Sequence, residues 1–223
     1  FPPAGANGET PENPFDYQIS MRALLVAMEK WVRDGTAPPP SRYPRLQDGT
    51  LVRAAAVAFP NAPGLSSPKK IAAGSRGINR LLPKDGGAGA PLPLLVPQVD
   101  RDGNPLGGLR LPDITAPLAT YTGWNFRNAS IGGTEQVFPL IGAYVPFAVT
   151  KAERERTHDP RLSIEERYPS RDQYLKLVRD AGASLVKDGY LLADDLPTVV
   201  TRAGEHWDLL VRSSGPTAAG PPR

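Results

Sequence analysis

The stretch WVRDGTAPPPSRYPRLQDGTLV, residues 31–52, separates a helix from a β-rich region. Gly35 suits the left-handed position that follows a last helical turn, so the helix is expected to end there. The three prolines 38–40 cannot continue a helix, and they favour an extended polyproline geometry. Asp48-Gly49 is a tight-turn pair that predicts a hairpin. The stretch therefore predicts a stiff exit from a helix and carries no catalytic group.

The helix before this stretch is predicted from about Tyr17 to Arg33. Its apolar residues recur at three- and four-residue spacing, which predicts a single core-facing stripe. The members of the stripe are Met21, Leu24, Leu25, Met28, Trp31 and Val32. We therefore expect a core-facing helix over residues 15–35, preceded by a loop over residues 1–14 that has no apolar periodicity.

The sequence pattern over residues 36–149 predicts hairpins and long loops. Short apolar runs between Pro44 and Pro60 flank the Asp48-Gly49 turn and predict a first hairpin. A second hairpin is predicted from residues 93–99 and 105–111, which are joined by the turn DRDGN.

The remainder of this middle region is less regular. Residues 118–126, LATYTGWNF, alternate enough to predict a further strand. Residues 137–149 are apolar but broken by prolines, which predicts a buried, non-repetitive segment. Residues 61–91 are rich in Gly, Ser and Pro, so a long irregular loop is expected there.

Residues 150–211 predict a helical subregion. Its helix starts are marked by capping boxes, in which a hydroxyl and a carboxylate or amide satisfy free backbone amides. These are Thr150 with Glu153, Ser163 with Glu166, and Ser170 with Gln173. The third box opens a helix that Gly189 ends, and a last helix runs from Pro197 to Arg212. The two are expected to form a helical hairpin, followed by a disordered tail over residues 212–223.

The amino-acid composition limits the classes of function that the chain can have. The 223 residues include 26 prolines and 22 glycines, and residues 1–211 are expected to form one domain or a domain fragment. The net charge of +3 is too balanced for a nucleic-acid partner, and the densest basic region, around Lys69 and Lys70, contains no aromatic residue for stacking on bases. The chain has no cysteine, which excludes disulfides and thiolate metal sites. No apolar run approaches the roughly 20 residues of a membrane span.

Candidates for catalysis are few. Serine hydrolases on α/β sheets hold the nucleophile in G-x-S-x-G, and the nearest match, NASIG at residues 128–132, lacks the first glycine and precedes no helix. Ser130 is therefore not expected to be a nucleophile. His158 is expected to be structural or solvated, and His206 is expected to occupy a surface or rim position. Two histidines far apart, without cysteine, make a poor metal site, so no metal and no cofactor is predicted.

An aromatic cluster in YTGWNFR, residues 121–127, is the best candidate for binding. Tyr121 and Trp124 combine a large apolar area with a polar group, and Asn125 both donates and accepts hydrogen bonds. At the end of a strand these three residues are predicted to line a substrate pocket. The alternative is that the aromatic side chains anchor the strand to the core.

Three long segments resemble one family. They are MRALLVAMEKWVRDGTAPPPSRYPRLQDGTLV, VPQVDRDGNPLGGLRLPDITAPLATYTGWNFR and GAYVPFAVTKAERERTHDPRLSIEERY. Together they are similar to the C-terminal part of the bacterial alpha/beta hydrolase domain proteins, which are larger, serine-esterase-type proteins. The resemblance extends from about Asn13 to Val211. It implies an α/β fold class, with this chain as the C-terminal portion of an α/β-hydrolase-like fold.

The resemblance also implies where the chemistry lies. The serine, its acid partner and the catalytic histidine are expected upstream of the helix at Tyr17, and no residue of this chain matches their motifs. The implied partners are a small-molecule ester substrate and an N-terminal hydrolase core outside this chain. The alternative is a non-catalytic binding or structural module that is complete in itself.

Overall fold

The computed structural model describes residues 7–74, 94–138 and 140–213, which form a mixture of helices and short strands. The helices are Gln18–Asp34 (α1), Lys69–Gly74 (α2), Pro112–Thr115 (α3), Lys151–Arg156 (α4), Ile164–Arg167 (α5), Arg171–Lys187 (α6) and Leu196–Ser213 (α7). The strands are Leu51–Arg53 (β1), Leu95–Pro97 (β2), Ala119–Tyr121 (β3) and Tyr144–Pro146 (β4). The predicted mixed α and β character is thus confirmed.

The chain divides into two compact units. Unit 1 consists of Phe1–Phe15, Ser41–Arg110 and Ala119–Val145. Unit 2 consists of Asp16–Pro40, Leu111–Leu118 and Pro146–Arg223. Unit 1 contains strands β1 to β3 and α2, whereas unit 2 contains the long helices α1, α6 and α7.

The turn at Asp48-Gly49 is confirmed. Gly49 has φ +71°, and its N–H donates to the carbonyl of Leu46 at 3.3 Å. The Asp48 carboxylate closes the turn by accepting from the hydroxyl of Thr50 at 2.6 Å and from its N–H at 3.0 Å. Both a glycine at positive φ and a local carboxylate are typical of such turns.

The strand that follows this turn has a different partner from the one expected. β1 pairs antiparallel with β2, with Val52 opposite Val96. Within the described residues, those before the turn contribute to β1 only the backbone bond from Leu51 N–H to the Arg45 carbonyl at 2.9 Å. The pairing brings together an apolar cluster that includes Ala54, Val57 and Val99. Burying this cluster outweighs the short local hairpin, because hydrophobic area removed from water is the dominant favourable term.

The DRDGN turn is confirmed, but its second strand is not. Asp100 N–H donates to the Asn104 carbonyl at 2.9 Å, and Val99 forms an antiparallel bridge with Pro105. Beyond that bridge the predicted strand over residues 105–111 was wrong. Gly108 has φ +89°, a backbone conformation that a strand cannot contain.

The C-terminal helical hairpin is confirmed. α6 and α7 pack against each other, and the contact buries Tyr174 and Val178 from α6 with Val199 and Ala203 from α7. Rings reinforce the contact, since Tyr174 stacks on Trp207 with centroids 5.1 Å apart. Such aromatic pairs add stability beyond their buried area.

All three predicted N-caps are confirmed, but only one of the three predicted capping boxes is complete. Ser163 Oγ accepts from Glu166 N–H while the Glu166 carboxylate accepts from Ser163 N–H, which is the complete capping box at α5. Thr150 caps α4 and Ser170 caps α6 through their hydroxyl oxygens. Because caps depend on residues three positions apart, they could be predicted from sequence alone.

Helix α1 presents its apolar stripe to solvent. Gly35 ends the helix at φ +70° as predicted, and its N–H donates to the Trp31 carbonyl. The side of α1 that packs within unit 2 consists of small residues, with Ser20 and Ala23 buried. The stripe expected to face the core is exposed instead: Met21, Leu24, Leu25, Met28, Trp31 and Val32. Small residues allow close approach, so they occupy the packed side.

Some predictions fall outside the described residues. The predicted loop over residues 61–91 is described only up to residue 74, where α2 lies within it. Of the predicted tail, residues 212–213 belong to α7, and the others are outside the described residues. Among the helices of the described ranges, none is long and apolar enough to cross a membrane.

Candidate functional site

The three residues predicted to bind substrate lie in unit 1, in β3 and directly after it. Tyr121, Trp124 and Asn125 are all buried. Tyr121 packs against Tyr144 with ring centroids 5.6 Å apart, and against Phe15 at 6.1 Å. The structure therefore buries all three side chains in unit 1, and it packs Tyr121 among other aromatic rings.

Asn125 connects this region to the N-terminal segment. Its Oδ1 accepts from the N–H of Thr10 at 3.3 Å, and its Nδ2 donates to the Thr10 carbonyl at 2.9 Å. Nδ2 also lies 3.4 Å from the carbonyl of Gly142. A buried amide satisfied on both its oxygen and its nitrogen fixes the backbone around it.

Trp124 links the same region to the segment that precedes α2. Its indole Nε1 donates to the Ser66 carbonyl at 3.2 Å. Its ring packs against Phe59 with centroids 5.4 Å apart. The polar edge and the apolar face of Trp124 are thus both in contact with other residues, as is usual for a buried tryptophan.

A small cavity lies against Trp124 and Asn125. Its lining residues are Glu9, Thr10, Leu65, Ser66, Thr122, Trp124, Asn125, Phe126 and Ala143. The free volume is about 10 Å³, which is room for about one water molecule. Tyr121 is not among the lining residues.

Two of the lining residues form a polar group with a lysine of α2. Ser66 Oγ donates to Glu9 Oε2 at 2.7 Å, and Lys70 Nζ donates to Ser66 Oγ at 3.1 Å. Lys70 Nζ also lies 4.0 Å from Glu9 Oε1 and 5.3 Å from the centre of the Phe126 ring. A hydroxyl is thereby held between a carboxylate and an ammonium beside the cavity.

The chemistry available to this group is limited by its charges. As an ammonium, Lys70 has three donors and no acceptor, so it cannot take a proton from Ser66. The side chains of Lys70 and Glu9 are 51% and 43% exposed, and solvent weakens their attraction. The arrangement orients the Ser66 hydroxyl without activating it as a nucleophile.

Sequence reasoning did not find this group. The sequence places Lys70 in a basic region of the predicted loop over residues 61–91, and no motif marks Glu9 or Ser66. Glu9 is 57 residues away from Ser66, so no local pattern connects them. The four-residue spacing of Ser66 and Lys70 was the one local signal.

The two histidines occupy different environments. His158 is exposed at the end of α4, as predicted. The surface or rim position predicted for His206 was wrong, because its side chain is only 2% exposed. The buried face of α7 runs through Val199, Ala203 and His206, at helical spacing. Burial lowers the pKa of His206 from 6.5 to about 4.

Neither a nucleophile elbow nor a metal centre is found at the other candidates. Ser130 lies exposed in a 3₁₀ turn, Ala129–Ile131, where its N–H donates to the Asn128 side chain at 2.9 Å. Within the described ranges, no group of three or more histidine, aspartate or glutamate side chains is placed to hold a metal ion.

Comparison with known families identifies the chain. A family model described as alpha/beta hydrolase domain matches residues 2–201. The protein therefore belongs to the alpha/beta hydrolase domain family, and its function is of the hydrolase type. No curated protein and no solved structure matches the chain significantly.

Proposed function

We propose that this chain is the C-terminal segment of a serine esterase of the α/β-hydrolase type, with its catalytic triad upstream of the helix at Tyr17. The reaction would be acyl transfer: serine attacks the ester carbonyl, histidine moves the protons, and backbone amides stabilise the oxyanion. The family supports the hydrolase class, and the ester substrate and the upstream triad are our inference from the resemblance.

The observation that carries this proposal is the exposed face of α1. Its stripe comprises Met21, Leu24, Leu25, Met28, Trp31 and Val32, and Trp31 is 56% exposed. Contiguous apolar surface of this kind marks an interaction site on a soluble protein. The described residues form only two-stranded sheets, whereas an α/β-hydrolase core is built on a larger sheet that its helices cover. We infer that the α1 stripe packs on that core.

The predicted substrate-binding role of Tyr121, Trp124 and Asn125 stays a proposal within this scheme. It is supported by the half-exposed Ser66–Glu9–Lys70 group beside Trp124 and Asn125, and not by the small cavity, which has room for about one water molecule. Tyr121 would act by positioning the cluster through its contact with Tyr144. In the active complex of this chain with the upstream segment, an Asn125→Asp substitution is expected to raise KM for an ester more than it lowers kcat.

The alternative of a self-contained binding module is less favoured. It predicts little exposed apolar surface, and the α1 stripe counts against it. It also predicts cooperative unfolding of the isolated chain, which urea denaturation followed by circular dichroism would measure.

Two experiments test the proposal. The purified 223-residue chain is expected to show no turnover of an activated short-chain ester. Turnover that is lost in Ser130→Ala or His206→Gln would overturn the placement of the triad.

The second experiment uses the residues encoded upstream of Phe1. Co-expression of that segment with this chain is expected to give a complex with esterase activity. Leu25→Glu should abolish association, because it places a charge in the stripe that the complex would bury. Leu177→Glu is the control: it lies at a 48% exposed position on α6 and should leave association unchanged. Association unaffected by Leu25→Glu would refute the docking of α1.

A further inference from the structure

A second and larger cavity lies in unit 2, between α1, the segment that follows α1, and the turn after α6. Its volume is about 270 Å³, near the lower end of the range for small-molecule pockets. It lies against the packed side of α1, so its walls include Val26 and Ala27 and not the exposed apolar stripe.

Most of the side chains that line this cavity are aliphatic, and polar atoms contribute much of the remaining surface. The following segment contributes Pro39, the last turn of α6 contributes Val186, and the region after α6 contributes Leu191 and Leu192. Aliphatic walls favour the apolar part of a ligand, since its transfer from water is favourable in proportion to the area buried.

Two side chains supply the polar part of the lining: Lys30 near the end of α1 and Thr36 just beyond it. Within the described part of the chain, neither forms an ion pair or a side-chain hydrogen bond. Asp34 lies one turn after Lys30 and its charge attracts the Lys30 ammonium, but both Asp34 oxygens accept hydrogen bonds from Arg33 at 2.8 Å. The ammonium of Lys30 and the hydroxyl of Thr36 are therefore available as donors.

Competing acceptors around the cavity are already engaged. The Gly189 N–H donates to the carbonyl of Val186 at 3.1 Å, and the Tyr190 N–H donates to that of Leu185 at 2.9 Å. These bonds satisfy carbonyls in the last turn of α6 that would otherwise attract a cation. None of the described residues that line the cavity is an aspartate or a glutamate.

We propose that this cavity binds a small aliphatic monocarboxylate. Its carboxylate would accept hydrogen bonds from Lys30 Nζ and Thr36 Oγ1, and its chain would occupy the space between Val26, Ala27, Pro39 and Leu191. A single cation and one hydroxyl suit one carboxylate, because a phosphate needs more donors to satisfy its oxygens. The proposal does not depend on the hydrolase activity.

The test is a titration of the 223-residue chain with hexanoate, hexan-1-ol and hexylammonium, followed by amide NMR. Hexanoate at millimolar concentration is expected to shift the amides of Thr36 and Gly189 in a saturable way. It should bind about tenfold more tightly than hexan-1-ol, the effect of one charge-assisted hydrogen bond. The absence of a saturable shift, or equal affinity for hexan-1-ol or hexylammonium, would overturn the proposal.

Variants separate the two halves of the site. Lys30→Gln should weaken hexanoate about tenfold and leave hexan-1-ol unchanged. Lys151→Gln, at an exposed position on α4, is the matched control and should change neither affinity. Unchanged hexanoate affinity in Lys30→Gln would disprove the assignment of the carboxylate.

Filling the cavity tests the aliphatic half. Ala27→Leu should abolish the binding of both ligands, because the added side chain occupies the space for the ligand. Ala37→Leu provides a second obstruction from an exposed position that does not endanger folding. Hexanoate binding that persists in Ala37→Leu with native affinity would show that the ligand lies elsewhere.

Discussion

Arg161 and Asp159, two residues apart in unit 2, form a buried ion pair. Arg161 Nη2 donates to Asp159 Oδ2 at 2.6 Å, and Arg161 Nε donates to Oδ1 at 3.0 Å. The two side chains are 2% and 6% exposed. The guanidinium also lies 5.2 Å from the centre of the Phe147 ring and donates to the carbonyl of Pro146 at 3.3 Å.

Removing one member of this pair is expected to be costly. Asp159→Ala removes the carboxylate that pairs with the buried Arg161 guanidinium, and breaking a buried ion pair typically costs about 3–5 kcal/mol. We expect a loss of that size in the free energy of unfolding, measured with urea. Asp180→Ala is the control, because Asp180 pairs with Lys176 on the exposed side of α6 and such pairs contribute about 0–1 kcal/mol. Similar losses in both variants would contradict a special role for burial.

His206 is expected to make stability depend on pH. Its pKa is about 4 in the folded protein and 6.5 ordinarily, so between these values the unfolded state binds more protons. The contribution of neutral His206 to the free energy of unfolding is therefore fully present above about pH 6.5. It decreases as the pH falls towards 4, by about 3 kcal/mol in total. His206→Gln should flatten this part of the profile, whereas His158→Gln at an exposed position should leave it unchanged. Identical profiles for all three proteins would disprove the assignment.

Gly142 is expected to tolerate no side chain. A Cβ at this position would lie 2.1 Å from the backbone carbonyl oxygen of Thr122 and 3.0 Å from Cβ of Asn13. Gly142→Ala should reduce the free energy of unfolding by about 1–3 kcal/mol or more, since a backbone atom cannot move aside cheaply. Gly123→Ala is the matched control, because nothing lies within 4 Å of its Cβ position. A small effect of both changes in chemical denaturation would refute this close approach.

The contribution of the α5 capping box to the stability of the protein is expected to decrease in acid. The N–H and hydroxyl of Ser163, and then Arg154, lower the pKa of Glu166 from 4.5 to about 2. The contribution of ionised Glu166 is present above pH 4.5 and is lost as the pH falls towards 2. Ser163→Ala should cost about 1 kcal/mol at pH 7 and less at pH 3.

Ser170→Ala is the control for this prediction. Ser170 caps α6 against Gln173, whose amide does not titrate. Ser170→Ala should also reduce the free energy of unfolding by about 1 kcal/mol, and by the same amount at pH 7 and at pH 3. Urea denaturation at the two pH values measures both, and a Ser163→Ala loss independent of pH would count against the carboxylate's role.

These relationships show which parts of the structure the sequence could predict. The caps at Thr150, Ser163 and Ser170 and the turn at Asp48-Gly49 depend on residues a few positions apart, and all were predicted. The partner of β1 was not predicted, because β2 lies more than 40 residues further along the chain and its choice depends on a shared apolar cluster. Local chemistry is visible in one sequence, whereas pairing at a distance is not.

Periodicity also has a limit in this chain. It located the apolar stripe of α1, but it did not show which side of that helix is packed. In α1 the packed side contains Ser20 and Ala23, and in α7 it contains His206. The candidate site had the same limit, since Tyr121, Trp124 and Asn125 were identified while Glu9 and Ser66 were not.

The division into two units has a consequence for the gene. The chain passes from one unit to the other after residues 15, 40, 110, 118 and 145, so no continuous coding segment contains either unit alone. Ending the chain after residue 15, 40, 110 or 118 would remove strands or helices from both units. Recombination could therefore transfer this region between proteins only as a whole. Folding of either unit also requires contacts between residues far apart in sequence, and such contacts slow folding relative to a helical bundle of similar size.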